Sequence, residues 1–143
     1  MRSVTTLPSP VGRLTLASDG ESLIGLWLEG QKYFGAGLSG TEAEADLPVF
    51  RAAEVWLRAY FARAPLPPLP PLAPQGSFFR QAVWQLLLEI PYGTVTTYGA
   101  LAQKLRDRGI SAAAQAVGGA VGHNPISILI PCHRVVGSNG SLT

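Results

Sequence analysis

The chain's only cysteine, Cys132, is followed directly by His133 and Arg134. The thiolate is the reactive form of cysteine, and neighbouring basic side chains lower a thiol's pKa. The triplet therefore suits nucleophilic attack by sulfur, with histidine taking the thiol proton. Consecutive side chains of an extended stretch point to opposite faces, so His133 is expected to act through a water rather than directly. The bland alternative is a small core residue, the usual role of a lone cysteine after an apolar strand. One Cys and two His (His123 and His133) are too few soft ligands for a four-ligand zinc site, so no metal is expected. A single cysteine also excludes an internal disulfide, which fits a reducing cytoplasm.

The elements that must position this triplet can be read from the second half of the chain. Ile126 to Ile130 is apolar and mostly β-branched, predicting a buried extended segment that Pro131 stops. Ser77 is placed to cap a helix running to about Glu89, with Phe79, Val83, Leu86, Leu87 and Ile90 inward. Thr97 caps a short helix with Tyr98, Leu101, Ala102 and Leu105 on one face, closed by Arg108-Gly109. Ser111 is expected to cap another from Ala112 to about Val121, with Ala113, Val117, Ala120 and Val121 buried. Two short helices joined at a glycine form the helix-turn-helix pattern, which many domains contain without binding DNA. The last helix carries Gly118 and Gly119, with Gly122 just after it, and each mid-helix glycine costs about 1 kcal/mol relative to alanine. Either tight helix packing or close approach to a nucleic-acid backbone explains them. That face has no Lys or Arg, leaving Lys104, Arg106 and Arg108 as candidate phosphate contacts.

The first half reads differently. Val11–Ala17 and Leu23–Leu28 flank the turn signal Ser18-Asp19-Gly20-Glu21 and predict a hairpin, with Val4–Leu7 as an edge strand. Gln31–Asp46 reads as a loop. Leu47–Ala62 has helical periodicity, with Phe50, Ala53, Leu57, Tyr60 and Phe61 on one face, Arg51, Glu54 and Arg58 on a more exposed one, and Pro48 in the first turn. The prolines between Pro65 and Pro74 exclude helix and central strand and leave a stiff connector or a proline-recognition motif. The predicted organisation is an N-terminal α/β domain at 1–63, a linker at 64–76 and a C-terminal domain at 77–143. Apolar residues make up 47% and charged residues 14%, a globular composition without a membrane-length apolar run or a signal core at the start. A net charge of +2 permits nucleic-acid binding without indicating it.

Pro131-Cys132-His133-Arg134-Val135 resembles the active-site signature of the O6-alkylguanine-DNA alkyltransferase (methylated-DNA–protein-cysteine methyltransferase) family. Phe79 to Trp84, Ile90-Pro91-Tyr92-Gly93, Thr97-Tyr98-Gly99-Ala100-Leu101-Ala102, Ala116-Val117-Gly118 and Gly122-His123-Asn124-Pro125 follow the family's order and spacing. The match covers nearly all of residues 77–143. The resemblance implies an α+β protein with a ribonuclease H-like, β-rich N-terminal domain and a helical, winged helix-turn-helix-like C-terminal domain. It implies direct, irreversible transfer of the alkyl group of O6-alkylguanine, with O4-alkylthymine as a further substrate class, after the base is flipped from the duplex. Cys132 is then the nucleophile and alkyl acceptor, His133 the base through a water, Tyr98 the donor to the departing guanine, and Asn124 the brace of the active-site turn. Thr97, Ala114, Gln115, Gly118 and Arg134 are the expected DNA-binding residues, with the second helix of the pair in the minor groove. The implied partner is double-stranded DNA bound by a cytoplasmic monomer, without cofactor or membrane.

Two departures stand out. Gln115 occupies the place of an intercalating arginine, lacking its charge and flat stacking surface. The family's glycine-rich loop and last helix, whose glutamate orients the histidine, have no counterpart up to Thr143. Two other classes compete: an alkyltransferase-like sensor that binds alkylated DNA without transfer, in which the cysteine is replaced, and a Cys-His hydrolase, for which no third catalytic partner appears at familiar spacing.

Overall fold

The computed structural model describes residues 2–31, 34–91, 94–131 and 135–136, the last pair by their backbone. The chain forms two compact units dividing between Pro74 and Gln75.

The first unit contains β1 (Ser3–Leu7), β2 (Leu14–Ser18), β3 (Leu23–Leu28), β4 (Ala43–Glu44) and α1 (Pro48–Phe61). The sheet order is β3-β2-β1-β4, antiparallel except for the parallel pair β1–β4. The hairpin forms where the turn signal predicts it. Asp19 Oδ1 accepts from the backbone N–H groups of Glu21 and Ser22 at 3.0 and 2.8 Å, and Gly20 takes the positive φ of 111°. β2 begins at Leu14 rather than at Val11, which is exposed, because Ser9 and Gly12 close a turn just before it. β1 is not the edge strand expected of it. The Gln31–Asp46 stretch returns Ala43 and Glu44 alongside Ser3 and Val4, a pairing too short to leave a hydrophobic pattern.

In α1, Pro48 opens the helix where its missing N–H costs nothing. Val49, Phe50, Ala53, Trp56 and Leu57 are buried, and α1 packs against β2. Full burial of a side chain such as Phe50 or Leu57 stabilises by about 1.5–3 kcal/mol. The proline tract is extended, and its end adds to the sheet. Leu23 N–H donates to Pro71 O and Ala73 N–H donates to Leu23 O, both at 2.8 Å, covering the edge of β3.

The second unit contains α2 (Phe78–Leu88), β5 (Thr96–Thr97), α3 (Tyr98–Asp107), α4 (Ala114–Gly122) and β6 (Val135–Val136). Ser77 and Thr97 cap as predicted, their hydroxyls accepting from Arg80 N–H at 3.2 Å and Ala100 N–H at 3.0 Å. Gly109, at φ 80°, ends α3 behind Arg108. Val83, Trp84, Leu86, Leu87, Leu101, Ala102, Leu105, Val117, Ala120, Val121, Ile126, Leu129 and Ile130 form the buried apolar set. The buried indole N–H of Trp84 donates to Ala120 O at 2.9 Å and ties α2 to α4.

Two expectations are corrected here. Ser111 does not cap α4, which starts at Ala114, two residues later than predicted. Ala113 holds the cap position in an extended conformation without a side-chain bond and is exposed, not buried. The guanidinium of Arg106 meanwhile donates to Ala112 O at 2.7 Å, binding that residue into the interhelical connection. The second correction concerns Ile126–Ile130, which is largely buried as expected but is a turn, not a strand. Leu129 N–H donates to Ser127 O at 2.8 Å and Ile130 N–H to Ile126 O at 3.1 Å. Among the described residues, no helix is long and apolar enough to cross a membrane.

Candidate active site

Cys132, His133 and Arg134 lie outside the described residues, but the chain on both sides of them is described. Upstream, Asn124 follows α4 and is buried. Its amide donates to Ile130 O at 2.8 Å, and its Oδ1 accepts from Ile126 N–H at 3.0 Å. One side chain thus clasps both ends of the turn that leads into buried Pro131. Replacing it would leave buried backbone groups unpaired, a penalty of about 1–3 kcal/mol each. Downstream, β6 pairs in parallel with β5, Thr96 facing Val135 and Thr97 facing Val136. The backbone that follows the cysteine motif therefore runs beside the residues that open α3.

Those residues are Thr97, whose hydroxyl is occupied in capping, and half-buried Tyr98. The ring of Tyr98 lies 3.9 Å from where a Cβ on Gly118 would stand. The fold thus brings together Thr97, Tyr98 and Gly118, and the Asn124 clasp fixes the turn preceding Pro131. Ala114 and Gln115 lie apart from this group, exposed in the first turn of α4. Among the described residues nothing lies within 4 Å of a Cβ placed on Gly119 or Gly122. Packing against the described residues therefore does not explain these two glycines.

The three candidate cations near this face are held differently from one another. Arg106 is engaged with Ala112 O and with Gln103 Oε1, the latter at 3.0 Å. Arg108 pairs with Glu89 at 3.0 Å. Both are held by their own chain, whereas Lys104 is exposed with no side-chain partner among the described residues. Half-exposed pairs such as Arg108–Glu89 contribute little stability, about 0–1 kcal/mol, so they remain exchangeable. Among the described residues, no group of three His, Cys, Asp or Glu side chains could hold a metal ion. A cavity of about 460 Å³ in the first unit, lined by residues including Leu7, Pro10, Leu57 and Phe61, contains none of the predicted site residues.

Sequence reasoning missed Ile128, whose φ of 72° is unusual for a β-branched residue. No pattern marks it, since a run of β-branched residues reads as strand.

A mixed-sheet ribonuclease-like domain followed by a DNA-binding domain of paired helices, with a cysteine beyond the second helix, defines the class of protein. Residues 3–71 match the family model of the 6-O-methylguanine DNA methyltransferase ribonuclease-like domain. Residues 78–143 match that of the 6-O-methylguanine DNA methyltransferase DNA binding domain. The chain belongs to this family. It is 44% identical to the methylated-DNA–protein-cysteine methyltransferase of Haemophilus influenzae, over 97% of this chain and 75% of that protein. The Mycobacterium tuberculosis protein of the same name is also 44% identical, over 96% of this chain and 80% of its own length. The crystal structure of Mycobacterium tuberculosis OGT in complex with DNA superposes with a TM-score of 0.84 at 42% identity, covering 99% of this chain and 82% of that one.

Proposed function

We infer that the protein repairs DNA by moving the alkyl group of O6-alkylguanine onto the Sγ of Cys132, once per molecule. The observation that carries this reading is the family match across both units with the acceptor cysteine retained in Pro131–Val135. In the proposed step the Cys132 thiolate attacks the alkyl carbon, an S–C bond forms and the C–O6 bond breaks. The thiol proton passes through a water to His133, and the departing guanine takes a proton from the Tyr98 hydroxyl. Asn124 holds the turn that delivers Pro131, and Thr97 and Arg134 contact the DNA. The α4 face bearing Ala114, Gln115 and Gly118 enters the minor groove, where small side chains admit the sugar-phosphate backbone closely. The base is flipped out to reach the sulfur. O4-alkylthymine fits the same chemistry, because its alkyl group also sits on an exocyclic oxygen. The protein acts in the cytoplasm as a monomer.

Mass spectrometry after incubation with duplex DNA containing O6-methylguanine tests this. The peptide bearing Cys132 should gain one methyl group, and further damaged DNA should add nothing. Cys132→Ala should abolish uptake and leave DNA affinity within about twofold. Tight DNA binding with an unmodified cysteine would instead mark a sensor, and sustained turnover of an ester or amide would mark a hydrolase.

A further inference from the structure

The proline tract divides into a part that the first unit uses and a part that it leaves open. Along residues 65–71 every residue is a proline or precedes one, which fixes φ at about −65° or confines ψ to the extended range. Such a run winds as a polyproline II helix, with about three residues per turn and no internal hydrogen bonds. Exposure follows that period. Pro67 is half-buried, Pro70 is buried, and Ala73 packs against the cluster of Ala17, Ile24 and Trp27, so these positions form the docked edge. Pro65, Pro68 and Pro71, on a second edge, are exposed. On the third edge Leu66 and Leu69 are 38% and 41% exposed, although both are large and apolar. The fold holds the two ends of this stretch. Ala64 N–H donates to Ala59 O at 2.9 Å behind α1, and Pro71 O and Ala73 N–H cover the edge of β3. Between these anchors, no main-chain group of residues 65–70 has a hydrogen-bond partner among the described residues. No side chain from Ala64 to Pro74 carries a charge. A connector that only spanned this gap would do so as well with polar residues at 66 and 69.

We propose that residues 65–69 are a docking ligand: the edges bearing Pro65 and Pro68 and bearing Leu66 and Leu69 enter the neutral, aromatic-lined groove of a partner domain that reads polyproline II. The aromatic faces of such a groove pack on the proline and leucine side chains, and its ring N–H or O–H groups donate to the free carbonyls. Both ends of the strip are anchored, so it is ordered before the partner arrives and docking loses little chain entropy. With no charge in the tract, recognition is by shape and apolar contact rather than by ion pairing. Nothing in this docking depends on alkyl transfer.

The test titrates the full chain into an isotope-labelled WW domain selected for Pro-Leu repeats, which has a groove of this kind. The indole resonance of the groove tryptophan should shift and saturate. Replacing both leucines, Leu66→Ala with Leu69→Ala, should weaken binding about tenfold or more, and Pro68→Ala several-fold. Val55→Ala, which removes an exposed apolar side chain from α1, should leave it unchanged. The affinity should be the same at low and high salt, because the tract is uncharged. A groove resonance that does not move overturns the proposal, as does full affinity in the double leucine variant. Affinity that falls steeply with salt also overturns it, by assigning the contact to a basic surface elsewhere. A lower urea midpoint in the double variant would show that the leucines serve the fold rather than a partner. Self-association of the chain that is lost in that variant would put a second copy on the strip in place of the proposed domain.

Discussion

Glycine serves opposite ends in the sheet of the first unit and in α4 of the second. In β3, the side chain of Trp27 folds back over Gly25, and a Cβ at that position would overlap the indole ring. The glycine is required by its own chain, which spends a strand residue to seat a buried tryptophan. In α4, Gly119 is exposed, and none of the described residues lies within 4 Å of where its side chain would stand. A helix former there would stabilise the helix, so the local fold gains nothing from the glycine. The contrast teaches that one residue type can be demanded by the fold or by something outside it. The unit that holds α4 matches a DNA-binding domain, and under the proposed function the outside demand on α4 is close contact with the duplex.

The comparison breaks most visibly at Gly25. Gly25→Ala should destabilise the protein by about 1–3 kcal/mol, the usual penalty for overpacking, because the Trp27 ring must leave its place. Urea denaturation reads the loss, and DNA affinity measured below the unfolding transition should be that of the wild type. Unchanged stability would mean that Trp27 repacks freely. Gly119→Ala should do the reverse, raising stability by up to about 1 kcal/mol while weakening DNA binding several-fold. A gain in stability with undiminished affinity would remove the duplex as the reason for the open face.

How much of this was legible in the sequence depended on how local the cause was. α1, α2 and α3 were legible because periodicity, proline placement and the Ser77 and Thr97 caps all act within one or two turns. The start of α4 was not, because no side chain caps it and the Arg106–Ala112 bond spans the connection. Ile126–Ile130 reads as a strand and folds as a turn for a related reason. Its composition favours a strand, but the amide of Asn124 supplies partners that a strand neighbour would otherwise provide. In the site, the types and order of Tyr98, Gly118, Asn124 and Cys132 were readable as a resemblance. The pairing of β5 with β6 was not, since two-residue strands far apart in the chain leave no pattern. Nor was the engagement of Arg106 and Arg108, since surface partners are set by the finished fold.

Glu42 sharpens the same comparison at its small end, as a charged residue whose partners are all in its own loop. Its carboxylate accepts from the backbone N–H and hydroxyl of Ser39 and from Gly40 N–H at 2.8–2.9 Å. These bonds, the Ser39 N–H foremost, hold its pKa down to about 2, against an ordinary 4.5. A depressed folded-state pKa stabilises above the unfolded value, and the contribution fades as pH falls through the folded one. Glu42→Gln should therefore lower stability slightly at pH 7, and the gap between variant and wild type should close between about 4.5 and 2. The group is fully exposed, so the effect belongs to the loop and should register first in faster amide exchange at Ser39 and Gly40. DNA affinity at pH 7 should not change. A gap that persists at pH 2 would assign the loss to packing of the amide rather than to the carboxylate's charge.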